Sequence, residues 1–570
     1  MLFPFARRAA VALAVFGLQL GSHAAESDEL ESRARSFITQ AEETLIPLKI
    51  SQGRAWWDAS TTGKDEAYQR ATEAQNRINV ALSDRKVFAD LREIHEAVVK
   101  REDVDPLVDR QIRLLYLKYL GKQVDPELLK QATELSNTIE KQFNRYRGKI
   151  GDTELSDNEL NRMLKESTDS TELKQAWEAS KGIGSVIESD LLKLVRLRNQ
   201  IAGLLGFDNY QHMSLTLDEH DPAHLVQLFD ELDDLTRDAF REAKADIDRR
   251  LAKRLKIKVR ELRPWHYQNA FFQRAPDVYD VNLDSLYVDQ DIVRLSRDFY
   301  RSIGLPCDYV LERSSLFPQD GKSPHAFCID IDHRGDVRVL ANIDTSDRWM
   351  STMLHELGHA VYSSQYYPQE LPWFLRDASH TLTTEGLAMM FERQTKVLRW
   401  MEQMRLAPED AAKKRALADV ARRTLRNKLL IFSRWAQVMY RFEKSLYENP
   451  EQDLNRLWWD LVEKYQMVPR PEGRDAPDYA AKIHIVVAPV YYHNYALGEL
   501  FASQVHHAMC RDALGGVSPG TVSYTDDKRV GRFVLERVIQ PGTTIDWHHL
   551  TEHATGEPLS AKAFAADMRE

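Results

Sequence analysis

Trp349-Met350-Ser351-Thr352-Met353-Leu354-His355-Glu356-Leu357-Gly358-His359-Ala360-Val361-Tyr362 is the stretch from which the rest of the chain is read. Its Leu, Met and Ala positions give it helical periodicity. Residues i and i+4 of a helix share one face, so His355 and His359 bring two imidazoles to one point. That spacing suits one Zn²⁺ ion per chain. Glu356, one residue after the first histidine, is placed to take a proton from an attacking water. The third ligand decides the type of site. A histidine six residues after His359 would define one type, but Gln365 stands there. Thr384-Glu385-Gly386-Leu387-Ala388-Met389-Met390 opens the next helix-like run, and Glu385 is the expected third ligand. Its plainer reading is a carboxylate favoured by a helix N-terminus. Glu392, two turns on, is the alternative ligand; Glu370 and Asp377 in the connection are weaker choices. Two histidines and one glutamate leave a fourth position open, as a catalytic zinc needs.

Downstream, Lys482-Ile483-His484-Ile485-Val486-Val487-Ala488-Pro489-Val490-Tyr491-Tyr492-His493-Asn494-Tyr495 is dense in hydrogen-bond donors. Alone, such a Tyr-rich apolar stretch reads as core packing. Beside a metal motif it offers donors for a developing oxyanion. Tyr492 and Tyr495 are three residues apart and share a helical face.

The whole chain fits a large helical body. It has 570 residues, of which 43% are hydrophobic, and its 24 glycines and 21 prolines form no linker. Amphipathic helices are expected over residues 30–49, 84–102, 106–120, 126–146 and 223–254. A β-hairpin is expected from 325–331 and 337–343, around His333-Arg334-Gly335-Asp336. Trp56, Trp57 and Trp177 read as core anchors. The formal charge of −10 argues against nucleic-acid binding. The basic stretch 249–263 reads as a solvated helix face. Arg7 and Arg8 precede an apolar run at 9–20 and a small-residue Ser22-His23-Ala24 site, so residues 1–24 are expected to be a cleaved export signal. No other run is long enough to span a membrane. The domain expected to follow is a single one, residues 25–570. Cys307, Cys328 and Cys510 allow one disulfide, with the pairing open.

These motifs together resemble the angiotensin-converting-enzyme family of zinc dipeptidyl carboxypeptidases, and more distantly the thimet oligopeptidase and oligoendopeptidase F group. The likeness covers most of the mature chain. Its clearest motifs lie between about Pro264 and Cys510, with weaker ones at Ala176-Trp177-Glu178 and Gly206-Phe207-Asp208-Asn209-Tyr210. The resemblance implies a mainly α-helical ellipsoid with a deep central cleft. A zinc ion would lie at the cleft floor beside a small β-hairpin, with N-terminal helices as a lid. It implies that His355, His359 and Glu385 bind zinc and that Glu356 is the general base. His325 and Ala326 would bond to the substrate main chain. Gln273, Lys482 and Tyr492 would hold the substrate's terminal carboxylate, and His484 and Tyr495 would stabilise the tetrahedral intermediate. Three departures stand out. One extra residue precedes the tyrosine pair, so Tyr492 and Tyr495 are chosen, with Tyr491 in reserve. His493 or Asn494 replaces the family's chloride-binding arginine, leaving chloride activation in doubt. Met389 replaces an aspartate that partners a zinc histidine.

The expected function is release of C-terminal dipeptides from short peptides by an exported, periplasmic or secreted enzyme. An endo-acting oligopeptidase indifferent to a free C-terminus is the first alternative. A catalytically silent peptide-binding protein is the second. Oligomeric state is not legible.

Overall fold

The computed structural model describes residues 28–363 and 365–569. The expected export signal, 1–24, lies outside the described residues. The architecture is mainly α-helical. Two small antiparallel pairs supply the β-structure among the described residues: Gly148–Ile150 with Thr153–Leu155, and Phe327–Asp330 with Val337–Leu340. The second is the expected hairpin, shorter than its apolar runs. The first was not anticipated, although Gly151, at φ +59°, supplies the left-handed turn it needs.

Local sequence sets the helix starts. The helices Pro106–Leu120, Pro126–Arg145 and Pro222–Leu255 each begin with an Asp-Pro pair. In each, the aspartate side chain accepts a free backbone N–H of the first turn. Proline costs nothing there, because its missing N–H would have had no partner in the helix. The basic stretch 249–263 is helical only in part. Its helix stops at Leu255, Lys256 turns left-handed at φ 57°, and Val259–Glu261 forms a short 3₁₀ turn.

The N-terminal helices hold their own apolar cluster, in which Phe37, Leu45, Leu91 and Ile112 pack together and reach Trp373 and Phe374 of the main body. The first helix, ending at Thr62, crosses the Phe327–Leu340 hairpin. Gly53 lies against Ile331 there, and both Trp56 and Trp57 lie about 6 Å from the Phe327 ring. The tryptophans are therefore not core anchors, and Trp56 is 42% exposed. Both rings turn to the hairpin rather than into the core, and Trp57 is only partly buried. Trp177 is buried as expected, and its indole N–H donates to the Ala270 carbonyl at 3.0 Å.

Three helices frame the centre: the motif helix (Asp347–Val361), the ligand helix (Thr381–Glu392) and the tyrosine helix (Tyr492–Asp512). Glycines bring them close. A Cβ on Gly358 would lie 2.6 Å from the Ala388 Cα, and one on Gly386 would lie 2.7 Å from the Gly498 carbonyl oxygen. Among the described residues no helix is long and apolar enough to cross a membrane.

Candidate active site

Ser346 caps the motif helix, its hydroxyl accepting the Trp349 N–H at 3.3 Å. Met353, Leu354, Leu357 and Val361 are fully buried on one face, each contributing about 1.5–3 kcal/mol through burial. This anchors the opposite side, where His355 and His359 emerge one turn apart. Their Nε2 atoms lie 3.1 Å from each other. Glu385 Oε2 is 3.5 Å from the first and 3.9 Å from the second. Ligands about 2.0–2.1 Å from a tetrahedral Zn²⁺ stand roughly 3.3 Å apart. The three side chains therefore fit one zinc ion as they stand.

Outer partners fix the imidazoles. His359 Nδ1 pairs with Thr384 Oγ1 at 2.7 Å. His355 Nδ1 pairs with Glu392 Oε2 at 3.0 Å, and the other Glu392 oxygen accepts from Lys428. Glu392 is thus not an alternative ligand. It stands behind His355, where it orients the ring and turns Nε2 towards the metal position. It also takes over the part left open by Met389. Burial works against charge on His355, but its bonds to Glu385 and Glu392 hold its pKa well above normal. The carboxylates thus favour positive charge at this point, as a cation site requires. Burial, then the charge of His355, pushes His359 down to about 4, so it keeps a free lone pair.

A cavity of about 510 Å³ opens over the triad. Ala326 and Cys328 of the hairpin segment, Glu356, Tyr491 and Tyr495 line it. Burial pushes Glu356 up to about 7, against the pull of His355. A carboxyl group with that pKa both takes and returns a proton near neutrality. Burial, then the charge of Glu385, pushes Tyr495 up to about 12, keeping its hydroxyl a neutral donor. Cys307, Cys328 and Cys510 are free thiols.

Beyond Tyr495 lies a second group. Lys482 Nζ donates to Gln273 Oε1 at 2.8 Å and faces the rings of Phe271, Trp435 and Tyr492 at 5.3–5.6 Å. Burial, then the charge of Arg274, lowers Lys482 to about 7. The His484 ring packs 5.2 Å from that of Tyr492, and its buried Nδ1 has no partner among the described residues. Burial, then Lys482, pushes His484 down to about 4, and His325 also bears on it. The structure thus gathers Gln273, Lys482, Tyr492 and His484 in one place. His325 itself is exposed, just before the strand.

Asp218, His220 and His380 also converge, within metal-ligand distances of one another. His380 Nδ1 accepts the Leu382 N–H at 3.0 Å and so caps the ligand helix. Its Nε2 must then carry the proton, which it donates to Asp218. A nitrogen bearing a proton has no lone pair for a metal. His493, buried beside His220, is pushed down to about 3 by burial against the pull of Asp218. Asn494 bonds to His220 and Asp218. Where the resemblance places a chloride-binding arginine, these two residues supply no fixed positive charge.

Helical fold, two-histidine-one-glutamate triad and buried glutamate define a zinc-peptidase type of site. The chain matches the angiotensin-converting enzyme family, peptidase family M2, over residues 28–257 and 269–566, and belongs to it. It is 23% identical to angiotensin-converting enzyme of Mesocricetus auratus over 71% of this chain and 33% of that protein. It is 27% identical to an angiotensin-converting enzyme-related protein of Drosophila melanogaster over 48% of this chain and 44% of that one. With the enzyme of Haematobia irritans exigua it shares 23% identity over 72% of both chains. The chain thus spans a third of the hamster protein's length and under half of the Drosophila protein's.

Proposed function

We propose that this protein is a zinc peptidase that releases dipeptides from the carboxyl end of short peptides. The observation that carries this reading is Lys482, a buried ammonium hydrogen-bonded to the neutral amide of Gln273 and paired with no carboxylate among the described residues. A buried charge without a counter-charge is costly. The pocket lacks one carboxylate, and a peptide's C-terminus supplies it. Family membership supports the same reading.

His355, His359 and Glu385 would hold the zinc ion, which supplies Lewis acidity to the scissile carbonyl and to water. Glu356 accepts a proton from the attacking water and delivers it to the leaving amine. Tyr495 and His484 donate to the oxygen on which negative charge develops, each worth about 10²–10³ in rate. Ala326 and His325 offer the substrate main chain a strand-like partner. Gln273, Lys482 and Tyr492 fix its carboxyl end. The signal-like residues 1–24 support export, with a periplasmic or secreted enzyme as the product.

The test is mass spectrometry of one unstructured decapeptide incubated with the mature protein, with and without a chelator. A ladder of products shortened two residues at a time from the carboxyl end, abolished by chelation, is expected. Internal cuts would move the protein to the oligoendopeptidase reading. No turnover by zinc-loaded protein would favour the silent binder.

A further inference from the structure

The zinc cavity extends from Tyr495, which borders the Lys482 pocket, to Asp377. Beyond Asp377 two more lysines stand over the Trp373 and Phe374 rings. Lys49 comes from the first helix and Lys118 from the Pro106–Leu120 helix. Lys49 Nζ stands 5.5 Å from the ring centre of Trp373, and Lys118 Nζ stands 5.9 Å from that of Phe374. These rings form the Trp373–Leu375 turn that leads into Asp377. Lys118 is exposed to solvent and Lys49 is partly buried. Among the described residues neither ammonium makes an ion pair. The nearby Arg110 is already held by Glu219 and the Thr543 carbonyl. Asp377 is the one carboxylate whose field reaches both lysines. Glu219 also acts on Lys118 but is already paired with Arg110, so Asp377 is the anion the two lysines share.

We propose that Lys49 and Lys118, on the Trp373–Phe374 platform, form a carboxylate-binding subsite at the end of the cleft opposite Lys482. The preferred substrates then carry an acidic side chain upstream of the scissile bond. This rests on the reading that the peptide lies with its carboxyl end at Lys482. Repulsion from Lys49, then burial, pushes Lys118 down to about 7, and an arriving carboxylate relieves that repulsion. The aromatic faces hold the ammonium groups in place without neutralising them.

Free-acid octapeptides bearing either Glu or Gln at each upstream position in turn provide the test, with kcat/KM and product masses read in the same runs. At one position Glu should exceed Gln by about 10- to 100-fold, the range of a charge-assisted contact, and the advantage should shrink with added salt. It should vanish in the Lys49→Met/Lys118→Met double variant. Lys118→Glu should instead favour peptides with Lys at that position. Equal Glu and Gln rates at every position in the wild type would overturn the subsite, as would a Glu advantage that survives in the double variant. Product masses score the underlying reading separately. Internal cuts with the Glu advantage intact and lysine-dependent would refute dipeptide release and leave the subsite standing.

Discussion

Glu356 and Lys482 illustrate one physical effect with opposite signs. Burial disfavours the charged form of each, so the carboxyl rises to about 7 and the ammonium falls to about 7. For Lys482 the sign fixes a pH limb. The lysine is charged below that value and neutral above it, and capture of a carboxylate needs the charge. For free-acid peptides kcat/KM should therefore fall about tenfold per pH unit above roughly pH 7. Rate profiles of the wild type and Lys482→Met check this: the variant should be slower and should lack the limb. Glu392 gives a second prediction. Glu392→Gln keeps a hydrogen-bonding group near His355 but removes the charge and strands Lys428. Zinc affinity should drop about 10–100-fold, measured by competition with a chelator. Adding Lys428→Met should recover part of the loss. Unchanged affinity in Glu392→Gln would contradict the orienting role. The sequence showed Glu392 as a possible ligand, because its distance from Glu385 was visible. It could not show that the carboxylate reaches Nδ1 of His355, because Lys428, which holds its other oxygen, comes from a distant helix.

At the scale of elements, the site depends on how closely three helices approach. Gly358 has no Cβ, and the motif helix uses that space to meet the backbone of the ligand helix at Ala388. In Gly358→Ala the gain in helix propensity is about 1 kcal/mol. The contact is with backbone, which cannot swing aside, so overpacking at about 1–3 kcal/mol should win. A lower thermal midpoint and weaker zinc retention are expected; a stabilised variant would contradict this packing. Much at this scale was legible in advance. The motif helix, the Asp-Pro helix starts and the hairpin follow from periodicity and turn chemistry. Trp56 and Trp57 did not, because which side of an amphipathic helix meets the hairpin depends on residues nearly 300 positions away. Lys49 and Lys118 were silent for the same reason: Trp373 and Phe374, which define their place, lie far along the chain. A further prediction concerns His493 and Asn494. With a neutral imidazole and an amide on the tyrosine helix where a cation would be needed, replacing another monovalent salt by chloride at constant ionic strength should leave kcat/KM unchanged. A severalfold activation would show that an anion site is assembled from other residues.

For the molecule as a whole, the two proposals together give the cleft a polarity: Lys482 and Gln273 at one end, the zinc-binding residues and Glu356 in the middle, Lys49 and Lys118 at the other. Only a peptide laid in one direction places its carboxyl end at Lys482 and a main-chain carbonyl at the metal. That polarity separates a carboxyl-end peptidase from an internal one, and it is the central claim. Its most direct measurement compares kcat/KM for one decapeptide as free acid and as C-terminal amide. Loss of one buried charge-assisted contact predicts that the free acid is cleaved about 10- to 100-fold more efficiently, with a dipeptide as its first product. Equal rates for the two forms would contradict the role given to Lys482 and with it the direction of the cleft.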